Sequence, residues 1–394
     1  MIEPTPEITP TTHHDLLARL IAIDSRNPAL DPQGPGETVI ARAVAAFLQD
    51  AGLSVALVEP HPARPSVVAR LRGQGGGRTL LLNAHLDTVG FGAMADPLAP
   101  QVEGGRMYGR GSYDMKGGLA AVLLAAAALA RGDHLRGDLI VTAVADEEHA
   151  SLGTAAALEH LRDTSVHVDA AIVAEPTELE ICVAHKGFAW VTITTHGRAA
   201  HGSSRAEGID AIAHMGRALV ALEQLEQALQ ERPAHPLLGH GSLHASLIDG
   251  GTELSTYPAR CRLQIERRTL PGETASSVGA EVEAILSTLG AADPRFDARA
   301  ELTLFRPPFA SDAGEPIVAT LVAEATQRLG ARPALFGAAF WMDSALLGEA
   351  GIPTAIFGPR GAGAHADVEW VDLASVQACV DVLVAAARDF CGVA

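Results

Sequence analysis

Hydrophobic and polar positions follow two different periods along the first part of the chain. Apolar residues recur with a helical period over 14–23, 37–51, 117–131 and 151–161, and short apolar runs predict strands at 54–59, 66–72, 79–85, 138–145 and 170–173. Helices that alternate with strands in this way predict a sheet covered by helices.

The pattern changes between 187 and 304 and then changes back. Strand and helix patterns there follow a β-α-β-β-α-β order, which can form a compact unit of its own. After Phe305, helices at 316–329 and 344–351, a strand at 353–358 and a last helix from Leu373 restore the first rhythm. We therefore predict an α/β domain built from 1–186 and 305–394, with an α+β domain of 187–304 inserted into it.

A glycine-rich segment, 73–78, separates two of the predicted strands. It leads into a strand and lacks the Gly-Lys-Ser/Thr ending of a nucleotide-binding loop. The segment predicts a plain hairpin between the strands at 66–72 and 79–85.

Composition narrows the possible partners and location. A formal net charge of −18 over 394 residues argues against nucleic acid as a binding partner, because proteins bind its phosphates through clustered Lys and Arg residues. The four cysteines form no CxxC pair, the N-terminal sequence does not resemble a signal peptide, and the apolar run 119–130 is too short to span a bilayer. These features predict a cytoplasmic protein that binds no membrane.

Acidic residues and histidines follow several of the predicted strands. His85 ends one strand, and Asp87, two positions later, could accept a hydrogen bond from the second imidazole nitrogen. Asp114 lies in a glycine-rich turn before an apolar helix, where it could bridge two cations or cap the helix.

Three further segments complete the set. Glu147 and Glu148 follow an apolar strand, so that one could bind metal while the other takes a proton from water, although such a turn could also be merely solvated. Glu175 follows a buried strand, where an unpaired carboxylate is costly. His365 lies in a glycine-rich loop and would be solvated if it stood alone. Together the segments predict a two-metal hydrolytic site.

In the order and spacing of NAHLDTV, GRGSYDMKGG, ADEEHASLG, AEPT and GAGAHADVEW, the chain resembles a family of two-zinc amidohydrolases. This family includes acetylornithine deacetylase, succinyl-diaminopimelate desuccinylase, aminoacylase-1 and glutamate carboxypeptidase. The resemblance implies a zinc-exopeptidase-like α/β domain and an inserted ferredoxin-like lid that forms a homodimer. It implies two Zn²⁺ ions, for which Co²⁺ or Mn²⁺ could substitute.

The resemblance also implies a role for each residue of the site. His85 and Glu175 would hold one zinc ion and Glu148 and His365 the other, with Asp114 between them. Asp87 would orient His85, and Glu147 would be the general base. In the inserted domain, His201 would stabilise an oxyanion in the neighbouring subunit's site, and Arg268, rather than Arg267, would clamp a substrate carboxylate. Many relatives have Ser and Asn where this chain has Gly202 and Ser255.

These residues predict hydrolysis of the amide bond in a small N-acyl amino acid that carries a free carboxylate. A dipeptidase or carboxypeptidase activity, acting on a dipeptide or short peptide, is the alternative within the same class of enzyme. A catalytically silent metal-binding protein is the alternative from another class. The presence of Glu147 argues against this alternative, because metal ligation does not require that residue.

Overall fold

The computed structural model describes residues 13–132 and 134–394. The N-terminal sequence that indicates no signal peptide lies largely outside these residues. The chain forms two compact units by its internal contacts. The first unit comprises the described parts of Met1–Val183, with Ser311–Phe336 and Met342–Ala394, and the second comprises Ala184–Ala310 and Gly337–Trp341.

The described residues contain nine α-helices and seventeen strands. The helices are α1 (His13–Ala22), α2 (Thr38–Asp50), α3 (Gly117–Arg131), α4 (Leu152–Asp163), α5 (Ala211–Glu231), α6 (Ala275–Ala292), α7 (Pro316–Leu329), α8 (Ser344–Glu349) and α9 (Leu373–Cys391). The first eight strands are β1 (Ser54–Val58), β2 (Ser66–Leu71), β3 (Leu80–His85), β4 (Gln101–Glu103), β5 (Arg106–Tyr108), β6 (Leu139–Val144), β7 (Ala170–Val173) and β8 (Ile181–His185). The others are β9 (Gly187–His196), β10 (Ser242–Gly250), β11 (Arg260–Thr269), β12 (Asp297–Arg306), β13 (Phe309–Ala310), β14 (Leu335–Ala338), β15 (Thr354–Ile356), β16 (Gly361–Ala362) and β17 (Trp370–Asp372).

A mixed sheet forms the centre of the first unit. Seven of its strands follow the order β1-β2-β6-β3-β7-β15-β8. β3 runs parallel to β6 and to β7, and β15 runs parallel to β7. Because parallel strands end at the same edge, the segments after β3, β6 and β7 meet there, which is where open α/β sheets bind ligands. The prediction of an α/β fold with a mixed sheet and covering helices is confirmed.

The predicted hairpin at 73–78 is wrong. β2 and β3 do not pair with each other, because β6 lies between them, antiparallel to β2 and parallel to β3. The glycines of the segment permit close approach to another part of the chain. A Cβ atom at Gly73 would lie 2.2 Å from the carbonyl oxygen of Gly137, just before β6.

Helix α3 is the central apolar helix of the first unit. By length and composition the stretch Ser112–Arg131 could cross a membrane, but 72% of its most apolar window is buried inside the protein. It packs against α9, α1 and β3. This burial is typical of a core helix, whose apolar surface stabilises the folded chain.

The second unit contains a four-stranded antiparallel sheet with two helices. The strand order is β10-β11-β9-β12, and the elements follow the β-α-β-β-α-β order along the chain. β11 alternates between buried and more exposed positions, so that one face packs on the helices. The role of this unit as a dimerisation lid, and the domain boundaries 187 and 304, stay predictions.

Candidate metal centre

His85 is the last residue of β3, and its side chain is almost completely buried. Its Nδ1 atom lies 2.9 Å from the main-chain carbonyl oxygen of Asp87. A carbonyl oxygen can only accept, so Nδ1 donates to it, and Nε2 is the ring nitrogen that faces Asp114 and could bind a metal ion after losing its proton. Asp87 therefore contacts the imidazole through its main-chain carbonyl group, whereas the sequence predicted a contact through its carboxylate.

The Asp87 carboxylate does not make the predicted hydrogen bond to the imidazole. Its Oδ1 atom lies 3.7 Å from Nδ1 of His85. The prediction assumed strand alternation from position 85 to 87, whereas β3 ends at His85 and Asp87 lies outside the strand. The carboxylate instead accepts hydrogen bonds from the backbone N–H groups of Glu147 and Glu148, at 3.1 and 3.2 Å.

Asp114 lies between the two histidines of the site. Its Oδ1 atom is 3.1 Å from Nε2 of His85, and its Oδ2 atom is 3.4 Å from Nε2 of His365. The alternative role as a helix cap is wrong, because Lys116 occupies the N-cap position of α3 and no side chain caps that end. The two carboxylate oxygens therefore face two separate positions.

The structure brings together two groups of metal-binding side chains that share Asp114. One group is His85, Asp114 and Glu175, and the other is Asp114, Glu148 and His365. Within each group the ligand atoms lie within 4.8 Å of one another. Nε2 of His365 is 2.9 Å from Oε2 of Glu148, and Nε2 of His85 is 3.7 Å from Oε1 of Glu175.

Glu147 lies next to these groups and belongs to neither. Its Oε2 atom is 4.0 Å from Nε2 of His85. Burial and the charge of Glu175 raise the pKa of Glu147 well above its usual value. A carboxylate beside the site but outside both groups suits proton transfer better than ligation.

Burial and mutual charge shift most of the pKa values in the site. Burial, followed by the charge of Asp114, raises the pKa of Glu148 to about 7, and burial is also the main cause of the raised pKa of Glu175. Hydrogen bonds to Asp114 and Glu148 raise the pKa of His365 to about 10. Burial opposes ionisation of Asp114, but hydrogen bonds from the two histidines hold its pKa well below the usual range.

The donor set fits two divalent cations. Imidazole nitrogen and carboxylate oxygen are the ligands that Zn²⁺, Co²⁺ and Mn²⁺ accept in proteins. The Oε1 atom of Glu148 is buried and has no hydrogen-bond partner among the described residues. A buried carboxylate oxygen without a donor is costly, and a cation would remove that cost.

Glu369 supports the site and was not among the residues predicted from the sequence. Glu369 is buried and accepts hydrogen bonds from the backbone N–H groups of Gly111, Tyr113 and Asp114. It also pairs with the buried guanidinium of Arg110 at 2.8 Å. Glu369 therefore fixes the turn that carries Asp114. Its place inside the HADVEW segment was the only available signal.

His201 lies in the second unit and is exposed. Its Nδ1 atom is 2.7 Å from Oγ of Ser203 and 3.2 Å from the Ser203 backbone nitrogen, which donates to it. Gly202 and Ser255, the two departures from the family pattern, contact each other through a 2.7 Å backbone hydrogen bond. A Cβ atom at Gly202 would lie 3.2 Å from the Ser255 carbonyl oxygen, so this close approach favours glycine.

The two arginines of the second unit have different surroundings. Arg267 is buried and forms ion pairs with Glu273 and Glu281. Arg268 is about one-third exposed, and its Nε atom lies 2.7 Å from Oε1 of Glu266. The two Nη atoms of Arg268 carry the paired donors that suit a carboxylate. This difference supports Arg268 rather than Arg267 as the substrate-binding candidate.

Comparison with known proteins identifies the family. The model of peptidase family M20/M25/M40 matches residues 81–389, a segment that contains every one of the residues placed in the two metal-binding groups. The chain belongs to this family. The M20-family chain is a hydrolase by this membership, as the resemblance implied.

Two relatives of this M20-family chain are named for different substrates. It is 30% identical over 354 residues to an acetylornithine deacetylase from Myxococcus xanthus, covering 88% of this chain and 87% of the relative. It is 29% identical to N-formyl-4-amino-5-aminomethyl-2-methylpyrimidine deformylase from Bacillus subtilis, over 80% of both chains. Its fold is similar to that of the Bacillus subtilis YXEP protein, a dinuclear metal-binding peptidase, with a TM-score of 0.75, 16% identity and coverage of 97% and 98%.

Proposed function

We propose that the protein hydrolyses the amide bond of a small N-acyl amino acid that carries a free carboxylate. The observation that carries this proposal is the position of Asp114 between two metal-binding groups, with Glu147 beside them and outside both. The similarity to an acetylornithine deacetylase over most of both chains supports a deacylase.

His85, Asp114 and Glu175 would hold one cation, and Asp114, Glu148 and His365 the other, with zinc the proposed metal. When bound, such ions lower the pKa of water and polarise a carbonyl group. Protonation of the carboxylates, whose pKa values burial raises in the metal-free protein, would compete with binding, so affinity should increase with pH.

Glu147 would accept a proton from the attacking water and return it to the leaving amine. Its side chain is 10% exposed, so a proton held there is shielded from bulk water. The raised pKa of Glu147 favours the protonated form that the second transfer requires. Asp87 would support this step by holding the backbone N–H of Glu147.

His201 and Arg268 would recognise the substrate. The Ser203 N–H donates to Nδ1 of His201, which leaves the proton on Nε2 and makes Nε2 a donor suited to a developing oxyanion. Arg268 would bind the free carboxylate through its Nη groups. Both roles are proposals that rest on the family resemblance and on the local contacts within the second unit.

We also propose a homodimer in the cytoplasm, formed through the second unit. Its sheet ends at strand β10, and Leu247 and Ile248 on that strand are 65% and 55% exposed. An apolar edge strand of this kind is suited to pairing with a second copy. The four cysteines are buried and form no disulfide among the described residues, which fits a reducing compartment.

A substrate panel tests the proposed reaction. N-acetyl, N-succinyl and N-formyl amino acids would be compared with dipeptides, each with Zn²⁺ or Co²⁺ added. The matched control is the same N-acyl amino acid with its carboxylate converted to a carboxamide. We expect release of the acid from an N-acyl amino acid and much slower hydrolysis of the carboxamide. Faster cleavage of dipeptides would assign a peptidase instead, and no turnover on any substrate would contradict the proposal.

A further inference from the structure

Asp146, directly before Glu147 and Glu148, has an unusual backbone conformation. Its φ angle of 69° lies in the left-handed region, which is uncommon for residues other than glycine. Its carbonyl oxygen accepts hydrogen bonds from the backbone nitrogens of Ala150 and Ser151, at 3.1 and 2.5 Å. Asp146 is therefore the residue at which the chain turns from β6 into the segment that carries both glutamates.

The Asp146 carboxylate is completely buried and is paired with Arg64. Nη2 of Arg64 lies 2.7 Å from Oδ1 of Asp146, and the Arg64 side chain is only 10% exposed. The same guanidinium binds Glu37 through two contacts, Nε to Oε2 at 2.6 Å and Nη2 to Oε1 at 2.8 Å. Glu37, directly before α2, is also completely buried.

A second contact links Asp146 to Asp87, which also holds the segment of Glu147 and Glu148. The buried Asn27 side chain donates from Nδ2 to Asp146 Oδ1 at 2.9 Å and to Asp87 Oδ2 at 2.8 Å. Asp87 in turn accepts from the backbone N–H groups of Glu147 and Glu148. Arg64 thus reaches both glutamates through Asp146 and through the Asn27–Asp87 contact.

The charges of this network require a guanidinium. Glu37, Asp87 and Asp146 are buried carboxylates, and Arg64 is in contact with two of them. A planar guanidinium can bind two carboxylates at once in fixed geometry, whereas an ammonium group acts as a point charge. A buried carboxylate whose cationic partner is removed is expected to move or to gain a proton.

We propose that Arg64, held by Glu37, is a positioning residue that fixes the turn at Asp146 and so orients Glu147 and Glu148. The inference rests on the proposed function for the roles of these two glutamates. Arg64 contacts neither the metal-binding groups nor, in the proposed reaction, the substrate. Its effect is on the geometry of Glu148 as a ligand and of Glu147 as a base.

Replacement of Arg64 by lysine tests the proposal, with Arg70→Lys as the matched control. Arg70 lies on β2, pairs with Asp138 and is one-third exposed. We expect Arg64→Lys to lower kcat by about 10- to 100-fold, with KM changed less than about twofold. It should also weaken, about 10-fold, the binding of the second metal ion, the one that the group containing Glu148 would hold. Arg70→Lys should leave all three quantities at the wild-type values. Thermal unfolding reports that each variant is folded.

A second variant tests the proposal if Arg64→Lys does not fold. The double variant Glu37→Gln/Arg64→Met removes the cation together with one of the two carboxylates that it binds, and Asp146 keeps its hydrogen bond from Asn27. It should therefore retain the fold while showing the same loss of kcat. A folded variant with wild-type kcat and wild-type metal binding would overturn the proposal. Unfolding of both variants would assign Arg64 a purely structural role and would overturn it as well.

Metal titration separates this proposal from the proposed function. Calorimetric titration of the metal-free protein with Zn²⁺ measures the metal affinity of the group that contains Glu148, and it requires no substrate. If the wild type hydrolysed nothing in the substrate panel, weaker second-metal binding by Arg64→Lys would still support the positioning role. If the wild type hydrolysed nothing and the two proteins bound Zn²⁺ equally, the positioning role would be contradicted.

Discussion

The Oε1 atom of Glu369 lies 3.0 Å from the backbone nitrogen of Asp114, the residue shared by the two metal-binding groups. The same carboxylate pairs with the buried guanidinium of Arg110. The single buried side chain of Glu369 therefore joins the segment before β17 to the turn that presents Asp114. The position of the shared ligand depends on a residue that binds no metal itself.

Glu369→Gln should destabilise this turn, because the amide leaves the buried charge of Arg110 without its partner. We expect the free energy of unfolding to fall by about 3 kcal/mol and metal affinity to fall about 10-fold. Urea unfolding and metal titration measure the two effects. Glu103→Gln, an exposed change on β4, is the control and should alter neither. Wild-type metal affinity in Glu369→Gln would show that Asp114 needs no such support.

Asp343 predicts a pH dependence of stability. It is buried, its Oδ2 accepts a hydrogen bond from Thr154, and its Oδ1 has no hydrogen-bond partner among the described residues. Burial raises its pKa from 3.8 to about 6. Because the folded state holds this proton more tightly, ionised Asp343 costs stability, and the cost appears as pH rises from about 4 to about 6.

Asp343→Asn should remove this cost. In metal-free protein, the unfolding free energy of the variant minus that of the wild type should rise by up to about 3 kcal/mol between pH 4 and 7. Denaturant unfolding at several pH values measures the difference, and saturating metal should reduce it, since nearby cations favour the ionised form. A difference that stays constant with pH would contradict the raised pKa.

The exposed apolar residues of the edge strand β10 predict the assembly state. Leu247→Glu and Ile248→Glu place charges on the edge strand that we expect to pair with a second copy. Light scattering after size-exclusion chromatography should give a dimer for the wild type and a monomer for the double variant. Val393→Glu, an exposed apolar change in the first unit, should remain dimeric. A monomeric wild type would contradict the proposed dimer.

The sequence predicted those elements and residues whose signal is local. Apolar runs locate the parallel strands, and His85, Glu148 and Glu175 follow them at one edge of the sheet. The strands β4, β5, β16 and β17 have two or three residues each, which is too short to show a period. They form a separate small sheet that the sequence did not indicate.

The supporting contacts could not be predicted, because they join distant parts of the chain. Asn27 and Asp146 are 119 positions apart, and Arg64 and Asp146 are 82 positions apart. The predicted hairpin at 73–78 failed for the same reason, since β6 enters from farther along the chain. Pairing between remote segments depends on the folded topology, which local periods do not contain.

In the proposed reaction, Glu147 transfers a proton and binds no metal. The most direct measurement is the metal content and the turnover of Glu147→Ala, compared with Glu148→Ala. We expect Glu147→Ala to bind about two metal ions per chain and to have a kcat at least about 100-fold below that of the wild type, whereas Glu148→Ala should lose affinity for one metal ion. Wild-type turnover by Glu147→Ala, or loss of a metal ion from it, would show that Glu147 is not the proton-transferring residue proposed for this site.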